Sequence, residues 1–322
     1  MKKISLLIML GSCLMVQAQD PEVKIEVLIT DEAGQAISNA AVNVWFSKLK
    51  TNNPFDGQDD FASKGISDEK GVFIASSTTL GTCGVKVEKN GYYLGRAKLN
   101  LNKQKDGKWI PWHQIIELKM RKMESPIPMY ARRIERLVIP IADAPVGYDL
   151  KTGDWVSPYG KGVKSDLTFA LQRELRSRFD FNWQLSVKFS GESNGFQGIP
   201  PSDEFPQSEL RFPKTAPADS YVISNLFMAV KSTMDNEWKT NSVSATNFFF
   251  RVRSKYDENQ QLTSALYGKL LGPIIVNIQG TKTAKLYFTY YLNPTPLDRN
   301  MEFDLEKNLF KNLNMEEQPR KP

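Results

Sequence analysis

The chain has 322 residues, 41% hydrophobic and 24% charged, with a formal net charge of +6. That length is enough for two domains with separate cores. Acids and bases are too evenly mixed for a nucleic-acid-binding surface, and basic clusters such as Lys119-Met120-Arg121-Lys122 and Arg132-Arg133 are short enough to be solvated faces.

Met1-Lys2-Lys3 is followed by an apolar run over 4–16 and then by Val16-Gln17-Ala18. This is the plan of an export signal over residues 1–18, with cleavage before Gln19. The run falls short of the about 20 apolar residues that span a bilayer. Leu10-Gly11-Ser12-Cys13 resembles the bacterial lipobox, in which the Cys is lipidated and becomes the mature N-terminus. Both readings stay open. Both export the chain to the periplasm, the cell surface or the medium, with membrane attachment only through a lipid on Cys13. Cys13 and Cys83 are the only cysteines, so either fate of Cys13 leaves no intramolecular disulfide.

Residues 23–29 alternate apolar and polar, which predicts a half-buried strand. Asp31-Glu32-Ala33-Gly34-Gln35 is a turn, residues 41–46 the next strand, and 50–64 a polar loop. A second turn at 67–71 leads into 72–74. Residues 84–88 alternate again and end at the turn Lys89-Asn90-Gly91. Strands over 94–101 and 114–119 complete a run of short strands with regular turn signals, the pattern of an all-β sandwich.

Three stretches carry a resemblance. They are Asp31-x-x-Gly34-x-x-Ile37-x-x-Ala40-x-Val42, Asp68-x-x-Gly71-x-Phe73, and Val85-x-Val87-x-Lys89-x-Gly91-Tyr92. In them Asp and Gly make tight turns, Ala40 is small where two sheets approach, and Tyr92 caps a sheet edge. Residues 23–120 thereby resemble the carboxypeptidase regulatory-like domain, an Ig-type, transthyretin-like (prealbumin-like) sandwich. The departure is the insert over 50–64. The resemblance implies a spacer or interaction module over 23–122 and no peptidase activity, because fold alone does not carry function.

Residues 123–129, with Pro126 and Pro128, predict a linker between domains. The second region, 130–312, resembles no family and is expected to be a larger β-rich domain, a sandwich with jelly-roll character. Within it, 166–179 is a helix candidate, because Leu167, Ala170, Leu171 and Leu175 share a helical face; a strand is the alternative. Residues 183–189, 248–253, 274–278 and 284–291 predict strands. The proline-rich stretch 192–219 is expected to be a long functional or mobile loop. The polar tail 313–322 is expected to be disordered.

Candidate chemistry is sparse. His113 is the only histidine, so a His-rich metal site or a two-His mechanism is excluded. Cys83, at a strand start, reads as a small buried hydrophobe. No nucleophile elbow, P-loop or dinucleotide fingerprint occurs. Two segments stand out. Tyr148, Asp149, Asp154, Trp155 and Tyr159 are the residue types of sugar sites, where rings stack on apolar sugar faces and carboxylates accept hydroxyl hydrogens. Asp298, Asn300, Glu302 and Asp304 alternate, so an extended chain would place their oxygens on one face, a candidate Ca²⁺ site. The start of that segment resembles an EF-hand loop but has Phe303 where the sharp turn needs Gly. Otherwise no cofactor is expected.

These features suggest an exported bacterial envelope or surface protein that binds an envelope protein or a glycan without catalysis. Two alternatives stand beside it. One is an exported carbohydrate-active enzyme using carboxylates of the second domain; the other is a spacer subunit of an envelope assembly.

Overall fold

A computed structural model describes residues 20–50, 57–177, 180–191, 193–200, 202, 205–222, 224–231, 238–240, 247–279 and 283–322. Residues 1–18, expected as an export signal, and with them Cys13, lie outside the described residues. The chain divides into two compact units, 1–120 and 121–322. Among the described residues the regular elements of both are β-strands, and no helix there is long and apolar enough to cross a membrane.

Among the described residues the first unit has eight strands. They are β1 (Glu22–Thr30), β2 (Ala41–Leu49), β3 (Gln58–Ile66), β4 (Val72–Thr78), β5 (Thr82–Glu88), β6 (Gly95–Asn100), β7 (Gln104–Lys105) and β8 (Lys108–Lys119). They form two four-stranded sheets, ordered β4-β1-β8-β7 and β3-β2-β5-β6. The period-2 pattern of β1 buries Val23, Ile25, Val27 and Ile29 completely, against Val42, Val44 and Phe46 of β2 and Val85 and Val87 of β5. The expected turns form as their chemistry requires. Asp31 accepts the amides of Ala33 and Gln35, and Asp68 those of Lys70 and Val72. Tyr92 packs on the same core.

The stretch expected as a polar loop, 50–64, contains most of β3, which pairs along its whole length with β2. This is an edge strand exposed at nearly every position, so burial imposes no apolar alternation on it.

The second unit contains β9 (Ile127–Val138), β10 (Pro145–Asp149), β11 (Asp154–Trp155), β12 (Leu167–Ser177), β13 (Asp180–Phe189), β14 (Gly195–Gly198), β15 (Ser224–Lys231), β16 (Trp238–Thr240), β17 (Phe248–Tyr256), β18 (Leu262–Gln279), β19 (Thr283–Leu292) and β20 (Phe303–Asn308). Two six-stranded sheets result, β11-β10-β12-β13-β15-β16 and β14-β17-β18-β19-β9-β20. Their facing sides form one core in which Tyr148, Phe169, Leu185 and Val187 meet Phe250, Leu286, Phe288 and Tyr290. The opposite side of the second sheet is also buried. There Phe249, Tyr267, Tyr291 and Met129 pack under Ile199, Phe212, Ala216 and Met301. This double burial explains the run Phe248-Phe249-Phe250, whose successive rings point to opposite covered faces.

Four expectations change in this unit. The helix candidate 166–179 is mostly β12, because Leu167, Phe169 and Leu171 alternate into the core. The stretch 192–219 is no open loop: Ile199, Leu210, Phe212 and Ala216 in it are buried and cover a sheet face. The linker over 123–129 is cut short by β9, which begins at Ile127; Pro128 sits in its first residues, before pairing with β19 starts at Tyr130, so its missing N–H interrupts no ladder there. The tail is docked on β9 and β19. The Arg133 amide donates to Glu317 O (2.8 Å), the Tyr291 hydroxyl to Lys321 O (2.8 Å), and Arg132 pairs with the Glu317 carboxylate. Backbone acceptors and one ion pair hold it, and composition does not register those.

Candidate functional site

The aromatic and acidic segment 147–166 forms a loop at one end of the first sheet of the second unit. β10 and β11 pair Tyr148 with Trp155 and Asp149 with Asp154. Pleating turns Tyr148 and Trp155 into the core, 0% and 4% exposed. Their rings meet edge to face at 5.4 Å, and Tyr148 also packs edge-on against Phe169, Phe288 and Tyr290. Neither offers a face to a sugar. Tyr159 does: it is 45% exposed, and Val163 nearby is 86% exposed.

Asp149 is committed to its own chain. Oδ1 accepts the amides of Lys151 (2.9 Å) and Thr152 (3.1 Å) and Arg253 Nη2 (2.8 Å). Oδ2 accepts Thr152 Oγ1 and the amides of Val163 and Lys164, all at 3.0 Å. Burial pushes its pKa up, but the amides of Lys164, Val163 and Thr152 and the Thr152 hydroxyl outweigh that and hold it below the usual carboxylate value. Asp166, also buried, takes Arg253 Nε and Nη2 at 2.8 Å each and the Leu150 amide at 3.0 Å. Arg253 is thus a fork between two buried carboxylates, held at φ +59°. Asp154 accepts the Trp155 and Lys161 amides, both at 2.8 Å. These carboxylates are anchors of the loop backbone, with no oxygen left over for a substrate hydroxyl at Asp149.

The second segment lies in the same unit. Its alternate spacing has a local cause: Asp298 accepts the amide of Asn300 (3.0 Å), Asn300 that of Glu302 (2.9 Å), and Asp304 that of Glu306 (3.1 Å), each two residues on. The remaining groups are also engaged. Asn293 donates to Asp298 Oδ2 (3.0 Å), Glu302 accepts the amides of Glu124 and Ser125, and Asp304 pairs with Lys307. Asp304 lies apart from the depression that the other three line, and among the described residues no group of three His, Cys, Asp or Glu could hold a metal ion. Asp298, Asn300 and Glu302 line a polar depression of about 360 Å³ with Glu124, Ser125, Lys214, Thr215 and Arg299. Its charges alternate in sign, and Lys214 and Glu124 pair across it at 2.7 Å.

Close to Glu302 lies Lys269, fully buried, with Nζ donating to Met301 O (2.5 Å) over the rings of Phe212 and Tyr291. Burial first and the neighbouring Arg121 second, opposed by Glu302, together lower its pKa to about 7. Sequence reasoning missed Arg253 and Lys269. The signal for Lys269 was a lone charge inside the apolar run Ala265–Ile275; Arg253 follows a run of phenylalanines and carries no distinguishing mark.

In the first unit, His113 on β8 sits 2.8 Å from Glu26 of β1 at the sheet surface. Cys83 is fully buried, and burial raises its thiol pKa to about 11 although a hydrogen bond with Thr79 opposes the rise. Such a thiol is a packing residue.

No family model matches the chain, and no curated protein matches it. Among solved structures it is similar to 3-chlorocatechol 1,2-dioxygenase from Rhodococcus opacus 1CP, at 12% identity over 33% of this chain and 61% of that one, TM-score 0.27. It is similar to the shaft pilin SpaA of Lactobacillus rhamnosus GG, at 9% identity over 76% and 92%, TM-score 0.22. It is also similar to BcpA, the major pilin subunit of Bacillus cereus, at 10% identity over 82% and 95%, TM-score 0.22. The chain spans about six tenths of the dioxygenase's length. Likeness at this level says nothing about residues or chemistry.

Proposed function

We propose that this chain is an exported envelope or surface protein that works by binding, without catalysis. One observation carries this: the carboxylates a hydrolase would need are committed to the protein's own backbone, while the loop they anchor carries exposed side chains. Asp149 accepts six hydrogen bonds from its own chain, and Asp166 is locked to Arg253. Rigid sheets that display a pinned loop are a common platform for recognition. The first unit fits a spacer or adaptor of the carboxypeptidase regulatory-like kind, supported by its two-sheet sandwich and its Asp-Gly turns.

Two measurements test the proposal together. Mass spectrometry of the chain from envelope fractions should find a mature N-terminus at Gln19 or at a lipidated Cys13; an intact Met1 in the cytoplasm would overturn export. Purified protein incubated with a panel of neutral and acidic glycans should release no product; saccharide release would overturn the non-catalytic reading and return the carboxylates to a chemical role.

A further inference from the structure

We infer that the tip of the 147–166 loop is a preformed recognition surface for an acidic polysaccharide, built from Tyr159, Lys161, Val163 and Lys164. This deepens the binding role proposed above and rests on it.

Charge separation within the loop is the first observation. It contains three aspartates and three lysines. Asp149 and Asp166 are buried, and Asp154 turns both oxygens onto backbone amides. Lys161 and Lys164 are exposed and make no ion pair among the described residues. A segment neutral in sequence therefore presents a positive exterior.

The second observation is that the tip is held in place. The amide of Lys161 is fixed by Asp154, and those of Val163 and Lys164 by Asp149. Backbone bonds from Tyr159 N to Val156 O (3.1 Å) and Gly162 N to Trp155 O (2.8 Å) close the turn. Gly160 and Gly162 pack where a Cβ would lie within 2.9 Å of the Asp154–Trp155 backbone or the side chains of Asp154 and Asp149. The exposed side chains thus project from a fixed frame, which lowers the ordering cost of binding.

Ligand class follows from these side chains. One exposed aromatic ring suits the apolar face of a sugar, and Val163, four residues on in the same turn, adds exposed apolar surface. Two lysines three positions apart, spanning at most about 10 Å of extended chain, suit carboxylates repeated along a polymer. A membrane surface fits less well, because the tip has one ring and one valine to insert and each lysine adds only about 1 kcal/mol at an anionic surface.

The test uses the full mature chain immobilised against polygalacturonate, dextran, and vesicles of phosphatidylglycerol with phosphatidylcholine. Polygalacturonate should bind, and more weakly as salt is raised from about 0.05 to about 0.5 M. Lys161→Gln with Lys164→Gln, and separately Tyr159→Ser, should weaken it about tenfold, a loss of about 1.4 kcal/mol each, while Tyr159→Phe should retain it. Dextran should bind at least about tenfold less than polygalacturonate. All these positions are exposed, so circular dichroism melts of the variants should match the parent. Undiminished binding in the variants would place the site elsewhere and overturn the inference. So would equal binding to dextran, or tighter binding to vesicles than to polygalacturonate. Absence of polygalacturonate binding would also overturn it, while leaving the broader binding role to stand or fall on N-terminal processing and the product-release assay.

Discussion

Asp149 and Lys269 are charges in buried surroundings that differ in how they are satisfied, and pH should separate them. The folded pKa of Asp149 is depressed. Its contribution to stability is therefore full above the unfolded value of about 3.9 and is lost as pH falls through the lower folded value. Asp149→Asn should flatten the acid limb of a stability-versus-pH curve measured by urea unfolding. Asp149→Ala should cost about 3 kcal/mol at neutral pH, because it leaves Arg253 with one carboxylate and orphans the Val163 and Lys164 amides. An unchanged midpoint would mean that the loop is anchored by something else. Lys269 gives a slope of the same sign in a higher pH window, for the opposite reason: the fold favours charged Asp149 and disfavours charged Lys269. Its folded pKa, about 7, lies below the unfolded value of about 10.4, so between them the unfolded state binds more proton. Stability should rise as pH climbs from about 7 toward about 9, and Lys269→Met should abolish that rise. A parallel rise in the variant would assign it to other groups.

At the level of the element, strands were legible where their apolar residues alternate cleanly or run unbroken, and not where the pattern is absent or fits a helix equally well. β1 alternates because its odd-numbered residues from Val23 to Ile29 meet the core, so its period could be read directly. β3 is an exposed edge and leaves no period; β12 has Leu167, Ala170 and Leu171 at spacings that suit a helix as well as a strand, and only Phe169 breaks the tie. The candidate sites were legible as residue types and misread as roles. Asp298, Asn300 and Asp304 alternate because each caps the amide two residues ahead, a local rule that looks the same in sequence as convergence on a cation. In the 147–166 loop, aromatic rings and acids were visible, but burial, which decides that Tyr159 faces out and Tyr148 in, depends on partners on β12 and β19. The glycines of that loop are steric requirements. Gly162→Ala places a methyl 2.8 Å from the carbonyl oxygens of Asp154 and Trp155. It should cost about 2 kcal/mol, read as a lower urea midpoint with an unchanged m-value. A neutral effect would show that the loop frame yields.

On the scale of the whole molecule, burial divides the chain at Met120. Met120 is fully buried in the core of the first unit, and its amide donates to Thr30 O (2.7 Å). Arg121, the next residue, is buried in the second unit, where its guanidinium donates to the carbonyls of Leu210 (2.9 Å) and Phe212. Adjacent side chains thus belong to different cores, and the two cores share no residue. The first unit has about 100 residues from Asp20, no disulfide, and two four-stranded sheets facing one another across a closed apolar layer. A sandwich of that size buries enough surface to fold alone. Residues 20–120, expressed by themselves, should therefore unfold in one cooperative urea transition, with probes of Trp109 and of backbone ellipticity coinciding. Trp109 is a suitable reporter because it is 8% exposed and its indole N–H donates to Thr79 O at 3.0 Å, linking β8 to the β4–β5 connection. Non-coincident or non-cooperative transitions in the fragment would mean that the first sandwich depends on residues beyond Met120.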